Sequence, residues 1–222
     1  MPASAKIIEL QQLIQRHSSA PPARGGAHLP TGLPHLDELL DGGLPKGGIL
    51  ELTSEAVTSG STSLLFAILR HAAQQGRWSA LIDGHDSFDP QSAGADVLAC
   101  LLWIRCRKAA EAIRSADLLL RDGNLPLIFL DLRGNPAAEL RKIPDPTWYR
   151  LQRVLEPTAA AFLVLTPRAI IPCAQVRLVA QSHFGLEALD REPGDLLREV
   201  KLHVARKRTR ATLHAPPLAE AV

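Results

Sequence analysis

A serine- and glycine-rich segment between a predicted strand and a predicted helix contains the residues of this sequence that are best suited to chemistry. Residues 49–52 are mainly apolar, a helical pattern begins near Leu64, and residues 53–63 between them are rich in Ser, Thr and Gly. A strand, a Gly/Ser-rich loop and a helix direct backbone N–H groups and the positive helix end at a phosphate. The segment is therefore a candidate phosphate loop.

This loop lacks the lysine of the motif GxxxxGK(S/T). Gly60 and Thr62 take the positions of the second glycine and the magnesium-binding hydroxyl, but Ser61 takes the lysine position, and Glu55 or Ser54 takes that of the first glycine. A charge-assisted hydrogen bond is worth about 1.5–3 kcal/mol, so triphosphate binding should weaken by about ten- to a hundred-fold. We therefore expect a vestigial nucleotide site at Gly60, Ser61 and Thr62, with no bound cofactor and no enzymatic turnover.

Composition limits the class of protein. The chain has 222 residues, 46% hydrophobic and 22% charged, which suits one large α/β core with tails. Its three cysteines lack metal-ligand spacing and are too few for a disulfide framework, which indicates a reducing compartment such as the cytoplasm. We expect no signal peptide and no membrane span. A net charge of +2 does not demand a nucleic-acid partner.

Apolar runs and helical patterns alternate after residue 48. Repeated strand–helix alternation predicts an α/β fold with a mainly parallel central sheet flanked by helices. The predicted strands are 49–53, 78–83, 101–104, 127–131, 161–165, 176–180 and 200–205, and the main predicted helices are 62–75, 109–120 and 147–155.

The N-terminal region has an amphipathic pattern ahead of a Pro/Gly-rich linker. Residues 5–16 place Ile7, Ile8 and Leu13 on one face of a predicted helix, and residues 18–26 form the linker. Two interpretations stay open: this helix packs on its own domain, or it docks on a partner or a neighbouring subunit.

Spaced motifs resemble the core of the RecA recombinase family. The opening motifs are Leu-Pro-Thr-Gly at 29–32, Leu-Asp at 36–37, Gly-Gly-Leu-Pro at 42–45 and residues 47–52. They are followed by Ile-Asp at 82–83, by Asp-Pro at 89–90 and by segments at 174–178 and 198–202 that resemble two late strands of that core. The resemblance covers about residues 29 to 210. It implies an N-terminal helix and linker over 1–27, a RecA-like core with a degenerate phosphate loop over 28–210, and a flexible tail over 211–222.

The same resemblance assigns roles and reveals departures. It implies that Asp89 lies beside the adenine and that Asp131 holds magnesium through water. His85 takes the position of the water-polarising glutamate, and Pro167 that of the glutamine that senses the γ-phosphate. The connection 166–173 is too short for the DNA-ordering loop. The loop 133–146 is either a solvated surface or a contact for nucleic acid or a partner.

A lysine-less RecA-like core of this length, with Leu-Leu-Trp-Ile-Arg at 101–105, most resembles the ImuA family. That resemblance implies an accessory role in SOS-induced translesion DNA synthesis and mutagenesis, in a complex with an ImuB-type homologue of Y-family polymerases, an error-prone DnaE-type polymerase and RecA. Two alternatives stay open: a cell-division inhibitor of the SulA type that binds FtsZ, or a weak RecA-like ATPase that binds DNA and takes its cation from elsewhere.

The predicted contact residues lie at the two ends of the chain. Arg206, Lys207, Arg208 and Arg210 place four cations in five residues, which would attract phosphates or an acidic protein surface. The N-terminal contact residues are Ile7, Ile8 and Leu13. The segment 211–222 is either a disordered tail or a segment that docks in a partner groove. We expect no catalytic residue and no metal site, because the histidines lack metal-ligand spacing.

Overall fold

A seven-stranded sheet forms the centre of the molecule in a computed structural model that describes residues 27–54, 59–185, 188, 191 and 193–208. A two-stranded antiparallel ribbon of β1 and β2 lies beside it. The strands are β1 His28–Leu29, β2 Leu44–Pro45, β3 Ile49–Thr53, β4 Ser79–Asp83, β5 Leu101–Arg105, β6 Leu127–Asp131, β7 Ala161–Thr166, β8 Val176–Ala180 and β9 Leu202–Lys207.

The strand order of the sheet is β5-β4-β6-β7-β3-β8-β9, and every neighbouring pair is parallel except β8 and β9. The predicted α/β fold with a mainly parallel sheet is confirmed. The central strands β3, β6 and β7 are buried along nearly their whole length because both faces are covered by helices. Parallel pairing also places the carboxyl ends of β3, β4, β6 and β7 at one edge.

Helices cover the two faces of the sheet. One buried cluster, which includes Trp148 and Leu151, joins the sheet to α5 and α7. The other joins it to α1, α2 and α4 through residues such as Leu64 and Ile68. The helices are α1 Pro34–Leu39, α2 Ser61–Gln74, α3 Pro90–Ala93, α4 Ala95–Ala99, α5 Ala109–Asp122, α6 Ala137–Leu140, α7 Asp145–Leu155 and α8 Pro193–Glu199.

Two strand predictions differ from the structure in ways that matter for function. β5, expected to be buried, is an edge strand and is only partly covered, because nothing in the described residues pairs with its outer side. β9 begins two residues later than predicted and includes Arg206 and Lys207, since its alternation of half-buried and exposed residues continues through the cations. The short elements α3, α4 and α6 are too brief to show a helical period in the sequence.

Among the helices of the described residues, none combines the length and apolar character that crossing a bilayer requires. Within the same residues, no group of three or more His, Cys, Asp or Glu side chains is arranged to hold a metal ion.

Candidate functional site

The carboxyl ends of the central strands and the start of α2 enclose a cleft of about 410 Å³. Clefts at this edge of an open parallel sheet are the usual ligand sites of such folds. Its lining combines apolar side chains of α2 and of the β4–α3 connection, Leu65, Phe66 and Phe88, with the polar residues Ser61, Thr62, Asp131 and Arg133.

Gly60 fixes the entry of the chain into α2. It precedes the helix with a φ of 82°, in the left-handed region that side chains with a Cβ rarely adopt. A Cβ at this position would lie 2.6 Å from Cγ2 of Val200 and 3.0 Å from the ring of Phe184. The predicted glycine is therefore required both for the turn and for close packing against the segment before β9.

Three serine hydroxyls fill the turn that leads into α2. Ser54 Oγ and Ser59 Oγ lie 2.6 Å apart, and Ser61 Oγ lies 3.2 Å from Ser59 Oγ and 3.3 Å from Ser54 Oγ. All three residues are buried. Ser54 and Ser59 flank residues 55–58, which include Glu55 and lie outside the described part of the chain. The polar groups beside the start of α2 therefore bond to one another.

A guanidinium group lies at the start of α2, although the motif has no lysine. Arg133 Nη1 donates to Ser61 Oγ at 2.6 Å and to Thr62 Oγ1 at 2.9 Å. Arg133 Nε donates to Asp131 Oδ1 at 2.9 Å, and Nη2 to Oδ2 at 2.5 Å, in a bidentate ion pair. The cation that the sequence lacks at position 61 is thus supplied by a residue two positions after β6.

This geometry brings together most of the predicted nucleotide site. The side chains of Ser61, Thr62 and Asp131 all bond to the Arg133 guanidinium, and Gly60 comes directly before Ser61. Arg133 itself was missed as a site residue, because the sequence placed it only in a loop that was either a solvated surface or a partner contact. The available signal was an arginine two residues after the acidic end of a buried strand, the position from which a side chain can turn back over the edge of the sheet.

Asp83, at the end of β4, binds the backbone of the turn that follows it. Its Oδ1 accepts from the N–H of Ser87 at 3.0 Å and its Oδ2 accepts from the N–H of Phe88 at 2.8 Å. A longer bond of 3.4 Å comes from the N–H of His85. Asp83 itself is buried, and a buried carboxylate requires hydrogen-bond donors, so these bonds satisfy the carboxylate and hold the turn in place.

Asp89 and His85, to which the resemblance assigns positions in the nucleotide site, also make contacts within the chain, as does the neighbouring Asp86. Asp89 caps α3 by accepting from the Ser92 hydroxyl and from the N–H of Gln91 at 3.0 Å, and these bonds, that of Ser92 most, lower the pKa of its carboxyl. His85 is exposed, and its Cβ packs close to Gly134. Asp86 pairs with Arg105 at 2.6 Å, which lowers the pKa of the Asp86 carboxyl.

The connection between β7 and β8 is held by a buried ion pair. Glu51, fully buried in β3, accepts from Arg177 Nε at 2.6 Å and from the N–H groups of Ile170 at 2.7 Å and Ile171 at 3.2 Å. Arg177 Nη2 also donates to the Ile171 carbonyl at 2.7 Å. The connection between β7 and β8 is thus bonded to the interior of the sheet.

These residues do not fit a magnesium triphosphate as they stand. A guanidinium already lies between the Asp131 carboxylate and the Thr62 hydroxyl, where a divalent ion would be bound. The buried serine hydroxyls bond to one another, and Asp83 is bonded to the backbone. Pro167, which lines the same cleft, has no side-chain amide.

Comparison with known proteins gives partial matches to RecA. The chain is 36% identical over 109 residues to RecA of Clavibacter michiganensis, a region that is 47% of this chain and 30% of that protein. It is 34% identical over 133 residues to RecA of Cutibacterium acnes, covering 55% of this chain and 38% of the relative. The chain is related to RecA over about half of its length.

This RecA-like chain spans only about a third of the length of the curated relatives it matches. RecA of Fusobacterium nucleatum gives a similar result, with 36% identity over 107 residues and 28% of the relative covered. No family model matches the chain.

Some of the predicted contact residues lie in the described part of the chain, in or directly after β9. Arg206 and Lys207 lie in β9, where successive side chains point to opposite faces, and each bonds to the chain itself: Arg206 Nη1 to the Pro172 carbonyl at 2.8 Å and Lys207 Nζ to Asp41 at 2.5 Å. They do not form one patch, and Arg208 is half-buried. The other predicted contact residues, Ile7, Ile8, Leu13 and Arg210, lie outside the described residues, as do the tail 211–222 and the linker.

Proposed function

We propose that this RecA-like protein is a non-catalytic accessory protein of SOS-induced translesion DNA synthesis, which binds an ImuB-type homologue of Y-family polymerases without needing nucleotide. The observation behind this proposal is that polar groups at the carboxyl ends of β3, β4 and β6 bond to the chain itself. Catalysis of phosphoryl transfer requires groups that are free to position water, metal and phosphates. Asp83 and Asp131 are each committed to other partners.

The firmly held β7–β8 connection supports the same proposal. A loop that orders around single-stranded DNA must exchange between conformations, whereas Ile170 and Ile171 are bonded through their N–H groups to the buried Glu51. The chain therefore suits recognition of a protein surface by a preformed shape. RecA and an error-prone DnaE-type polymerase are the further partners that the proposal includes.

A weak ATPase that binds DNA is the second candidate, and one observation favours it. Arg133 supplies a positive charge at the start of α2, so the turn is not without a cation. Its bidentate bond to Asp131 neutralises that charge, which is why we prefer the non-catalytic function.

Capture of the polymerase homologue tests the proposal. The purified chain of residues 1–222, immobilised through a tag, is mixed with the ImuB-type protein with and without Mg²⁺–ATP, and we expect equal capture in both conditions. Variants lacking residues 1–20 or 211–222 test the two predicted contact regions separately. Absence of capture, together with co-sedimentation of the chain with FtsZ polymers, would replace this proposal by the division-inhibitor function.

A further inference from the structure

Arg133 bridges the two groups that hold magnesium in phosphate-loop proteins. In such proteins the hydroxyl of the loop Ser or Thr and the acid at a strand end bind the ion together with the phosphates. Here those groups are Thr62 and Asp131, and the Arg133 guanidinium bonds both of them, at 2.9 Å to Thr62 Oγ1 and in a bidentate pair to Asp131.

The guanidinium is also nearly saturated by these bonds. A guanidinium has five N–H donors, and Nε, both donors of Nη1 and one of Nη2 match the four contacts with Asp131, Ser61 and Thr62. The Arg133 side chain is 19% exposed and that of Asp131 is 11% exposed, so water competes little for these donors. The backbone N–H of Arg133 donates to Asp131 Oδ1 at 3.0 Å as well, which fixes the start of the side chain.

We propose that Arg133 is a built-in cation that takes the place of a divalent metal ion in this RecA-like core. It joins the start of α2 to the end of β6, the connection that metal and nucleotide make in phosphate-loop proteins. A second cation within about 3 Å of the guanidinium would meet strong repulsion, so magnesium cannot assist phosphate binding here. This inference deepens the proposed function. It rests on that function in one respect, because it takes the turn before α2 to hold no nucleotide in the native protein.

Magnesium dependence of ATP binding tests this role. Ser61→Lys restores the lysine of the motif, and the double variant Ser61→Lys/Arg133→Gln also removes the built-in cation while keeping a polar side chain. We expect ATP binding by Ser61→Lys to be unchanged when Mg²⁺ replaces a chelator. In the double variant Mg²⁺ should tighten ATP binding by about tenfold or more, because a charge-assisted contact is worth about that factor. Calorimetric titration measures both affinities.

A matched control and a second measurement complete the test. Ser61→Lys/Arg105→Gln removes an arginine from an Arg–Asp pair outside the turn and should behave like Ser61→Lys. Hydrogen exchange of the first-turn amides of α2 should be faster in Arg133→Gln than in the native chain. Two results would each overturn the proposal. The first is the same magnesium dependence of ATP binding in Ser61→Lys and in the double variant, which includes no ATP binding by either. The second is unchanged hydrogen exchange in Arg133→Gln. None of these measurements uses the polymerase partner, so failure here is distinguishable from failure of the proposed function.

Discussion

Arg133 Nη1 lies 2.6 Å from the hydroxyl of Ser61, a residue 72 positions away in the chain that occupies the lysine position of a phosphate-loop motif. This contact, with the bidentate pair to Asp131, joins β6 to α2 across the cleft. The phosphate-loop motif lacks its lysine, and Arg133, from the end of a distant strand, places a cation beside it instead. That cation is bonded to the Asp131 carboxylate and is therefore not available to a ligand.

Removal of this guanidinium should destabilise the fold. Arg133→Ala leaves the Asp131 carboxylate, whose side chain is 11% exposed, without its cation. We expect a loss of about 1–3 kcal/mol in the free energy of unfolding, since a mostly buried acceptor loses charged hydrogen bonds. Chemical denaturation measures the loss. Arg121→Ala is the control: its pair with Asp117 has an arginine side chain that is 54% exposed and should contribute no more than about 1 kcal/mol. Equal losses in the two variants would contradict the assignment.

The buried pair of Glu51 and Arg177 should control the order of the β7–β8 connection. Glu51→Gln removes the negative charge from a fully buried position and leaves the guanidinium of Arg177 uncompensated. The expected cost is about 3–5 kcal/mol in unfolding free energy, the range for removing one partner of a buried pair. Hydrogen exchange at the amides of Ile170 and Ile171 should also accelerate. Arg198→Ala, which breaks an exposed pair with Asp195, should change neither quantity, and slow exchange in Glu51→Gln would refute the prediction.

The conformation of Gly60 gives a prediction with a close internal control. Both Gly60 and Gly76 have positive φ, 82° and 63°, but a Cβ at Gly60 would contact Val200 at 2.6 Å, whereas nothing lies within 4 Å of one at Gly76. Each change to alanine costs about 1–2 kcal/mol for the left-handed backbone. Gly60→Ala should be the more destabilising by at least about 1 kcal/mol because of overpacking. Equal unfolding midpoints would show that the turn can move away from residue 200.

The buried thiol of Cys173 should lower the free energy of unfolding as the pH rises into the alkaline range. Burial raises the pKa of its thiol from 9.0 to about 11. Below about pH 9 the thiol is protonated in both the folded and the unfolded chain, so it causes no pH dependence there. Between about pH 9 and pH 11 the unfolded chain loses this proton first, so stability falls as pH rises.

Comparison with Cys173→Ala isolates this effect from other groups that titrate in the same range. The unfolding free energy of the native chain relative to the variant should decrease by about 1–3 kcal/mol from pH 9 to pH 11, at 1.36 kcal/mol per unit of pKa shift. Urea denaturation across this range provides the measurement. Parallel pH profiles for the two proteins would contradict a raised pKa at Cys173.

The sequence predicted the strands of the sheet well because an apolar run is visible within a few consecutive residues. The apolar runs at 127–131 and 161–165 predict buried strands, and both are buried in the sheet. Gly123 ends α5 with a φ of 69°, as its position after the helical pattern indicates. The prediction placed β9 two residues too early. In the sequence the cations at its end look like a terminal basic cluster, whereas in the structure they continue the alternation of the strand.

The candidate site was harder to predict, because its chemistry depends on contacts between distant residues. The motif pointed to Ser61 and Thr62 and the resemblance pointed to Asp131, and the structure places all three around one guanidinium. Whether a positive charge lies beside them depends on the path of the Arg133 side chain, which neither the motif nor the resemblance specifies. The bonds that commit Asp83 to the backbone of residues 87 and 88 depend equally on a turn whose shape the residue types do not specify.

The most direct test of the central claim is a titration of the unsubstituted chain of residues 1–222 with Mg²⁺–ATP, in which calorimetry measures binding and an assay of inorganic phosphate on the same samples measures turnover. A core whose turn is occupied by Arg133 should give a Kd in the millimolar range or no detectable binding, with no phosphate release above that of buffer. A micromolar Kd accompanied by turnover would contradict the account and identify the chain as a working ATPase.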